Sequence, residues 1–455
     1  MPFSGIIFFV KIYLETLGCA KNQVDAEIMS RLLRDRGYIM AFDISECDIA
    51  VLNTCGFIHA AKQEAIDRII DLADLKKNGD LAGLVVTGCL SERYAKDIYR
   101  EFPEVDLALG VSEYGQIADR LDAMQAGTAV KTLPQKGDTI AHLRVTHESE
   151  SPYYAYLKIA EGCDAHCTYC AIPGIRGPQR SRPVNDICME ARQHIHAGRK
   201  ELIIIAQDIA LYGKDLYGEP RLATLIRALD DLDGDYRLRL LYAYAHNLTE
   251  EVIEAMARAR HLVPYLDLPI QHMSPAVLKR MGRRETPFSI LDTVKRLRLA
   301  MPKITLRSTV MVGFPGESAR DIATLRLGLE QLKFERLGCF IYSPEEGTPA
   351  YLLPDRVDPE LSAARYERIM SDQAARMAKW HASQVGTVRR VLLENVSEDG
   401  LAFLGRSESE APDVDPEILV YAKSAHIELG MVVPVTIVEA DQHGMTGVTA
   451  YEPAQ

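Results

Sequence analysis

The sequence has no apolar run as long as the roughly 18 residues that a membrane-spanning helix needs. We therefore expect no membrane association and a cytoplasmic location. An excess of basic residues is also missing: 52 lysines and arginines stand against 64 aspartates and glutamates, a formal net charge of −12. A chain of this charge is not a general polyanion binder, although a local basic surface is compatible with it.

Cysteine is scarce as well, with nine residues in a chain of 455. This is too few for a disulfide scaffold, and the clustered spacing of six of them is typical of metal ligands in a reducing compartment. Cys47, Cys188 and Cys339 lie outside the clusters, and we interpret them as small buried hydrophobic residues. The 47% of hydrophobic and 25% of charged residues predict a globular protein with a substantial core.

Three cysteines share one short loop in the pattern Cys-x3-Cys-x2-Cys. They are Cys163, Cys167 and Cys170, and thiolates at this spacing can bind one metal centre from a single loop. Iron–sulfur clusters usually take four cysteine ligands, so a cluster held by three leaves one iron open to an outside ligand. The alternative is a zinc knuckle, which needs a fourth cysteine or histidine. His166 lies inside the loop and is poorly placed to provide it.

Three further cysteines each follow a strand-like run in the N-terminal part of the chain. Cys19, Cys55 and Cys89 occupy these positions, each next to a glycine, and helical patterns separate the runs. The alternation predicts a mostly parallel sheet, and in such sheets ligands bind beyond the carboxyl ends of the strands. We therefore interpret these cysteines as a second three-cysteine cluster site. The alternative is three unrelated core cysteines.

The central part of the sequence alternates six strand-like runs with helical runs, after a polar stretch at 131–151 that we interpret as a linker. The predicted strands are 155–160, 202–206, 236–243, 265–270, 305–312 and 336–342. Six β/α units are fewer than the eight of a closed barrel, which predicts an open barrel. Polar side chains follow or end several of the strands, where parallel barrels place their sites, and they include Gln207, Asp208 and Arg307. Taken singly, each such residue is as typical of a turn or cap as of a ligand contact. Asn247 and Ser274, the latter with Pro275 after it, have the pattern of caps.

The C-terminal part consists of short strand-like runs with turn signals between them, which predicts a small β-barrel. Residues 385–455 carry twelve acidic and four basic side chains, a net charge of −8. Such a barrel repels nucleic-acid phosphates, so we expect no RNA contact through it and favour a basic protein as the partner. The alternative is that the acidic loops only increase solubility. The predicted domains are residues 9–140, 145–382 and 383–455.

Taken together, the motifs resemble those of the radical S-adenosylmethionine methylthiotransferase family over nearly the whole chain. The segments that carry the resemblance are 162–177, 207–213, 265–272, 312–317 and 342–344, together with the three N-terminal cysteines. The resemblance implies an α/β fold: an N-terminal parallel α/β domain, a central open (β/α)6 partial TIM barrel, and a C-terminal TRAM-like β-barrel.

The same resemblance implies the cofactors, namely two [4Fe-4S] clusters and S-adenosylmethionine. It implies that the cysteines of the central loop bind the cluster that cleaves S-adenosylmethionine to a 5′-deoxyadenosyl radical. It also implies that the three N-terminal cysteines bind the second cluster, whose open iron carries the sulfur to be transferred. Tyr169 would lie beside the adenine, and Gln207, Asp208 and Arg307 are predicted to contact the cofactor.

Within the family, the acidic barrel and the segment 405–415 resemble the branch that methylthiolates the β-carbon of an aspartate in ribosomal protein S-twelve, free or in the small subunit. The electron donor implied is flavodoxin-like. Ile209 and the proline-free run 242–246 depart from the family pattern, which leaves the substrate contacts open. Two alternatives remain: modification of an adenosine beside the tRNA anticodon, and a non-enzymatic iron–sulfur or zinc carrier.

Overall fold

The computed structural model describes residues 10–135, 137, 140–423 and 426–449. Its contacts divide the chain into two units. The first unit holds the described parts of Met1–Glu150, Lys158–Arg182 and Ser343–Tyr351; the second holds those of Ser151–Leu157, Pro183–Tyr342 and Leu352–Gln455. The three domains predicted from the sequence stay a prediction, and residues 9, 136, 138, 139, 424, 425 and 450–455 of those domains lie outside the described residues.

The first unit contains a parallel five-stranded sheet in the order β2-β1-β3-β4-β5. Alternate residues of its central strand enter different cores: Val51 packs with α1 and α4, whereas Ala50 and Leu52 pack with α2 and α3. Helices therefore cover both faces, and the predicted parallel α/β domain is confirmed. The elements are β1 (Lys11–Thr16), α1 (Ala20–Arg36), β2 (Ile39–Met40), β3 (Ile49–Thr54), α2 (His59–Asn78), β4 (Gly83–Gly88), α3 (Cys89–Glu101), β5 (Leu107–Leu109) and α4 (Ile117–Gln125).

The central part of the chain forms an open six-stranded sheet, as predicted, and the strand order is β13-β12-β11-β10-β9-β6. One predicted strand, 236–243, is shorter in the structure because Tyr242 has a φ of 69°, which ends the extended backbone. The elements are β6 (Tyr154–Lys158), β7 (Ala160–Glu161), α5 (Ile172–Arg176), β8 (Arg180–Ser181), α6 (Val184–His196), β9 (Glu201–Ile205), α7 (Lys214–Tyr217), α8 (Leu222–Asp230), β10 (Arg237–Leu240), α9 (Glu250–Arg258), β11 (Leu262–Asp267), α10 (Pro275–Arg280), α11 (Pro287–Ala300), β12 (Thr305–Val312), α12 (Ala319–Leu332) and β13 (Arg336–Ile341).

The C-terminal part forms a closed barrel in the order β14-β15-β16-β18-β17, which confirms the predicted small β-barrel. Its interior is filled by alternate residues of the strands, for example Val391 with Leu393 and Val435 with Ile437. The elements are α13 (Pro359–Ala382), β14 (Val388–Val396), β15 (Phe403–Arg406), β16 (Ile418–Tyr421), β17 (Val432–Ala440) and β18 (Met445–Thr449). Within the described residues, no helix combines the length and the apolar character needed to cross a bilayer.

Within the second unit, the segment 406–415, which starts at the last residue of β15, contacts Glu201 at the start of β9 and Arg239 in β10. Arg406 Nη2 lies 2.9 Å from Glu201 Oε2, and Arg239 donates from Nη1 to the carbonyl of Glu408 at 2.9 Å. The same segment reaches β11, where Tyr265 donates to Asp415 Oδ2 at 2.6 Å. The segment therefore joins the barrel to the amino ends of the open sheet through buried charges.

The polar stretch at 131–151 is not the free linker that the sequence suggests. His142 and Leu143 are buried, and Ser149 Oγ and Glu150 N donate to Glu27 Oε1 of α1 at 3.4 and 2.9 Å. The prediction is wrong for this second half of the stretch, because its polar side chains find partners inside the first unit.

Glu27 provides a test of this packing by pH. Burial raises the pKa of Glu27 to about 8, so the folded protein keeps a proton that the unfolded chain releases near pH 4.5. Stability should therefore fall as the pH rises from 4.5 to about 8. We expect Glu27→Gln to leave the unfolding temperature unchanged near pH 5 and to raise it by about 3 °C or more near pH 9. Circular dichroism at both pH values measures this, and the exposed Glu64→Gln is the control that should show no difference.

Candidate functional site

The three N-terminal cysteines lie where neighbouring parallel strands end at one edge of the sheet. Cys19 directly precedes α1, Cys55 directly follows β3 and Cys89 is the first residue of α3. Because β1, β3 and β4 are adjacent and parallel, their carboxyl ends share one edge and the three loops converge there. Cys19 is exposed, Cys55 is half-buried and Cys89 is buried, so the trio extends from the core to the surface.

Two glycines allow these loops to approach one another. Gly18 has a φ of 103°, and a Cβ atom there would lie 2.8 Å from the Cβ of Cys55. Gly88 has a φ of 98°, and its Cβ would lie 2.4 Å from the carbonyl oxygen of Thr54. Any side chain would collide at either position and would also disfavour the left-handed backbone. The glycines beside the cysteines are therefore required by the convergence of the strands themselves.

The chemistry of this trio fits a metal cluster. Burial raises the pKa of Cys55 to about 12 and also raises the pKa of Cys89. Such thiols stay protonated at neutral pH unless a bound cation stabilises the thiolate. Three thiols that converge at one place fit a cluster in which three irons each take one thiolate and the fourth stays open to an outside ligand.

The other three cysteines lie in the loop between β7 and α5, also in the first unit. The loop is closed at its base by the antiparallel β7–β8 pair and by the hydrogen bond from Cys163 N to the carbonyl of Gly177 at 3.1 Å. Cys163 and Cys167 are buried, and Cys170 is half-buried. Tyr169, predicted to lie beside the adenine, is buried in the same loop. Both trios thus belong to one unit of the structure.

A cavity of about 540 Å³ lies beside this loop. Cys167 and Cys170 line it together with Arg93 and Tyr94 of α3 and with Gly347. Its volume is within the range of about 300–1,000 Å³ that is usual for small-molecule sites. The cavity therefore gives a small ligand access to two of the three thiols of the loop.

Sequence reasoning missed a buried ionic network beside both trios. Arg176 Nη1 donates to Asp25 Oδ2 at 3.1 Å and to Glu161 Oε2 at 2.8 Å, and Lys158 Nζ donates to Asp25 Oδ1 at 2.6 Å. Lys158 also pairs with Glu161. All four side chains are almost fully buried. The signal in the sequence is a charged residue inside an apolar strand, Lys158, but its partners are distant in the chain.

The other residues predicted to contact the cofactor, Gln207, Asp208 and Arg307, lie in the second unit. Asp208 and Arg307 form hydrogen bonds or ion pairs with other residues of that unit. Gln207 and Asp208 follow β9. Asp208 accepts hydrogen bonds from the backbone of Ala210 at 3.0 Å and of Tyr244 at 3.2 Å, and from Asn247 Nδ2 at 2.7 Å, and burial raises its pKa to about 6. The prediction of Ser274 as a cap is confirmed, because its side chain accepts a hydrogen bond from Val277 N at the start of α10. The prediction of Asn247 as a cap is wrong, because Thr249 caps α9 and the Asn247 amide donates to Asp208.

Arg307 lies within β12, where Nη1 is 3.5 Å from Asp267 Oδ1 and Nε is 3.5 Å from Asp415 Oδ1. The roles of Tyr169, Gln207, Asp208 and Arg307 toward a cofactor stay predictions. The interpretation of Cys47, Cys188 and Cys339 as buried residues is confirmed.

Three family models match the chain in succession: uncharacterized protein family UPF0004 over residues 11–110, the radical SAM superfamily over 157–327 and the TRAM domain over 385–449. The ribosomal protein uS12 methylthiotransferase RimO of Geobacter sulfurreducens is 43% identical over 442 residues, which are 96% of this chain and 98% of the relative. The chain belongs to the RimO family. RimO of Lachnoclostridium phytofermentans is 41% identical over 440 residues, 96% of this chain and 99% of the relative.

Membership of the RimO family confirms the resemblance drawn from the motifs. The predicted cofactors, S-adenosylmethionine and two [4Fe-4S] clusters, are those of a radical S-adenosylmethionine methylthiotransferase, and the two cysteine trios fit them. A solved structure, the radical S-adenosylmethionine methyltransferase TsrM from Kitasatospora setae, matches with a TM-score of 0.53 at 13% identity and covers 72% of each chain. This similarity shows a shared fold.

Proposed function

We propose that this RimO family member transfers a methylthio group to the β-carbon of an aspartate in ribosomal protein uS12, the S-twelve protein of the small subunit. The observation that carries the proposal is the match over 96% of the chain to relatives named for that activity. The convergence of Cys19, Cys55 and Cys89 at one sheet edge supports it, because methylthio transfer needs a second site for sulfur.

The two cysteine trios are proposed to hold clusters with different roles, and the need for both roles follows from the chemistry of the reaction. The β-carbon of an aspartate has no proton acidic enough for a side-chain base, so general acid–base catalysis cannot start the reaction. When bound, the clusters and S-adenosylmethionine supply the radical chemistry and the sulfur, and the protein supplies binding and orientation. Cys163, Cys167 and Cys170 would hold the cluster that cleaves S-adenosylmethionine, and the N-terminal trio would hold the other.

Four further residues are proposed as cofactor contacts. Tyr169 shares the loop of Cys163, Cys167 and Cys170 and would lie beside the adenine. Gln207 and Asp208, which follow β9, would contact S-adenosylmethionine at the carboxyl end of the open sheet, where parallel barrels form their sites. Arg307 is proposed as a further contact, although it is the third residue of β12 and lies nearer the amino end of that strand.

Charge supports a protein substrate. The C-terminal barrel region, 385–455, has a net charge of −8 from twelve acidic and four basic residues. An acidic surface attracts a basic ribosomal protein and repels RNA phosphates, so we propose that the barrel makes no RNA contact. We also propose a flavodoxin-like electron donor and a cytoplasmic site of action, where both the donor and newly made ribosomal proteins are present.

The experiment that tests the proposal is mass spectrometry of uS12 and of tRNA from a strain that lacks the gene, with and without the gene restored. We expect uS12 to lose the mass of one methylthio substituent in the deletion strain and to regain it on complementation, with tRNA unchanged. Loss of a methylthio group from tRNA instead would establish the alternative substrate. Purified protein that binds metal but releases no 5′-deoxyadenosine from S-adenosylmethionine would identify a carrier.

A further inference from the structure

Arg176 lies next to one cysteine trio in the chain and next to the other in space. It is the last residue of α5, six positions after Cys170, and Ala171 and Ile175 of this segment pack in the same apolar core as Cys89. That packing directs the side chain of Arg176 into the N-terminal domain, where it is 2% exposed. The local sequence thus places a permanent positive charge in the buried interior of the first unit.

The two outer nitrogens of the guanidinium have different partners. Nη2 donates to Asn22 Oδ1 at 2.6 Å and to Cys89 Sγ at 3.5 Å. Nη1 donates to the carboxylates of Asp25 and Glu161. A planar guanidinium can reach all four acceptors at once, which a lysine ammonium on a flexible stem cannot do.

Asn22 extends this arrangement to the other two cysteine loops. Its Nδ2 donates to the carbonyl of Leu17 at 2.9 Å and to the carbonyl of Thr54 at 3.1 Å. These carbonyls lie two residues before Cys19 and one residue before Cys55. Arg176 and Asn22 together therefore contact a segment at each of the three strand ends that carry the N-terminal cysteines.

From this geometry we infer that Arg176 is a positioning residue that raises the reduction potential of the cluster held by Cys19, Cys55 and Cys89. The inference rests on the two-cluster assignment of the proposed function. Hydrogen bonds to the sulfurs are among the factors that set the potential of a cluster. Reduction adds one electron from the external reductant to the cluster and its thiolates, so a donor on Cys89 Sγ stabilises the reduced state more than the oxidised state.

The carboxylates on Nη1 connect Arg176 to the other trio. Glu161 lies two residues before Cys163, and its Oε1 accepts a hydrogen bond from Gly162 N at 3.1 Å. Asp25 and Glu161 offset the charges of Lys158 and Arg176, so the network is neutral and the effect on Cys89 comes from the directed hydrogen bond. Arg176 thereby contacts the start of the central loop through one nitrogen and a thiol of the N-terminal trio through the other.

The test uses the full-length chain with Cys163, Cys167 and Cys170 replaced by alanine, so that only the N-terminal cluster is reconstituted. Potentiometric titration followed by electron paramagnetic resonance compares Arg176, Arg176→Lys and Arg176→Gln. We expect Arg176→Gln to lower the ratio of reduced to oxidised cluster at a fixed potential about tenfold, which is about 59 mV for a one-electron couple. Arg176→Lys should recover part of that shift. A glutamine variant that titrates like the parent overturns the inference.

Further variants separate an effect of Arg176 on the potential from a general effect of losing an arginine, from failure to bind the cluster and from failure of the proposed function. Arg68→Gln removes an arginine of the same domain that pairs with Glu15 and should leave the potential unchanged. If Arg176→Gln takes up no cluster, the lysine variant decides: a lowered potential supports the inference, and an unchanged potential, or failure of this variant to take up the cluster, contradicts it. A parent chain in which replacing Cys19, Cys55 and Cys89 leaves the iron content unchanged contradicts the proposed function instead.

Discussion

Replacing Cys19, Cys55 and Cys89 together with alanine should abolish methylthio transfer to uS12 and leave the cleavage of S-adenosylmethionine intact. The iron content of the reconstituted protein should fall from about eight to about four atoms per chain, because one of two four-iron clusters is lost. Release of 5′-deoxyadenosine should continue, because the other trio lies on a separate loop between β7 and α5. Iron and sulfide assays with liquid chromatography of the nucleoside products measure both quantities.

The matched control replaces Cys47, Cys188 and Cys339, which are buried singly and away from both trios in the sequence. These three substitutions remove as many thiols and should leave the iron content and both reactions unchanged. Equal iron in the parent and in the N-terminal triple variant would show that the convergent thiols at the sheet edge bind no cluster.

Replacing Glu201 with glutamine should destabilise the second unit by about 3–5 kcal/mol, the cost of removing one partner from a buried ion pair. Glu201 is fully buried, and its carboxylate lies within 2.9 Å of nitrogens of Arg237, Arg239 and Arg406. Although burial alone would raise its pKa, the three arginines lower it well below the usual range. The neutral amide would remove the carboxylate charge that stabilises the three guanidinium groups in the interior. Denaturant unfolding followed by tyrosine and tryptophan fluorescence measures the loss.

Glu254→Gln is the matched control, because Glu254 pairs with Arg258 on the exposed face of α9. We expect at most about 0.5 kcal/mol from that change. Because folding lowers the pKa of Glu201, the free energy of unfolding also depends on pH. The stabilisation by Glu201 is present above the pKa of the unfolded chain and is lost as the pH falls toward the pKa of the folded protein. Equal unfolding midpoints for the two variants at neutral pH would contradict the structural role of Glu201.

The sequence was sufficient for the features that depend on local pattern. Strand β12 has the predicted bounds because its buried and half-buried residues alternate, and the six clustered cysteines are recognisable because each follows a strand or shares one loop. The carboxyl ends of parallel strands lie at one edge of the sheet, so the pattern predicts one common site for cysteines that are far apart in the sequence.

The features that escaped prediction depend on pairs of residues that are distant in the chain. Lys158 and Asp25 are 133 positions apart, and Arg176 and Asp25 are 151 apart, so no periodicity or spacing relates them. The same is true of Glu201 and Arg406, which join the open sheet to the segment after β15. Charged residues in such positions look like surface residues in a sequence, and only their tertiary partners make burial possible.

Two of the four cationic side chains in the C-terminal barrel region form ion pairs with carboxylates of the same chain. Arg406 is 1% exposed between Glu201 and Glu394, and Arg389 pairs with Glu408. Lys423 and Arg390 are the cations left to offset the acidic loops, so the electrostatic potential that this region projects into water is negative. Diffusional encounter with a cationic polypeptide should therefore be fast in dilute buffer and slow markedly once added salt shortens the Debye length below about 8 Å.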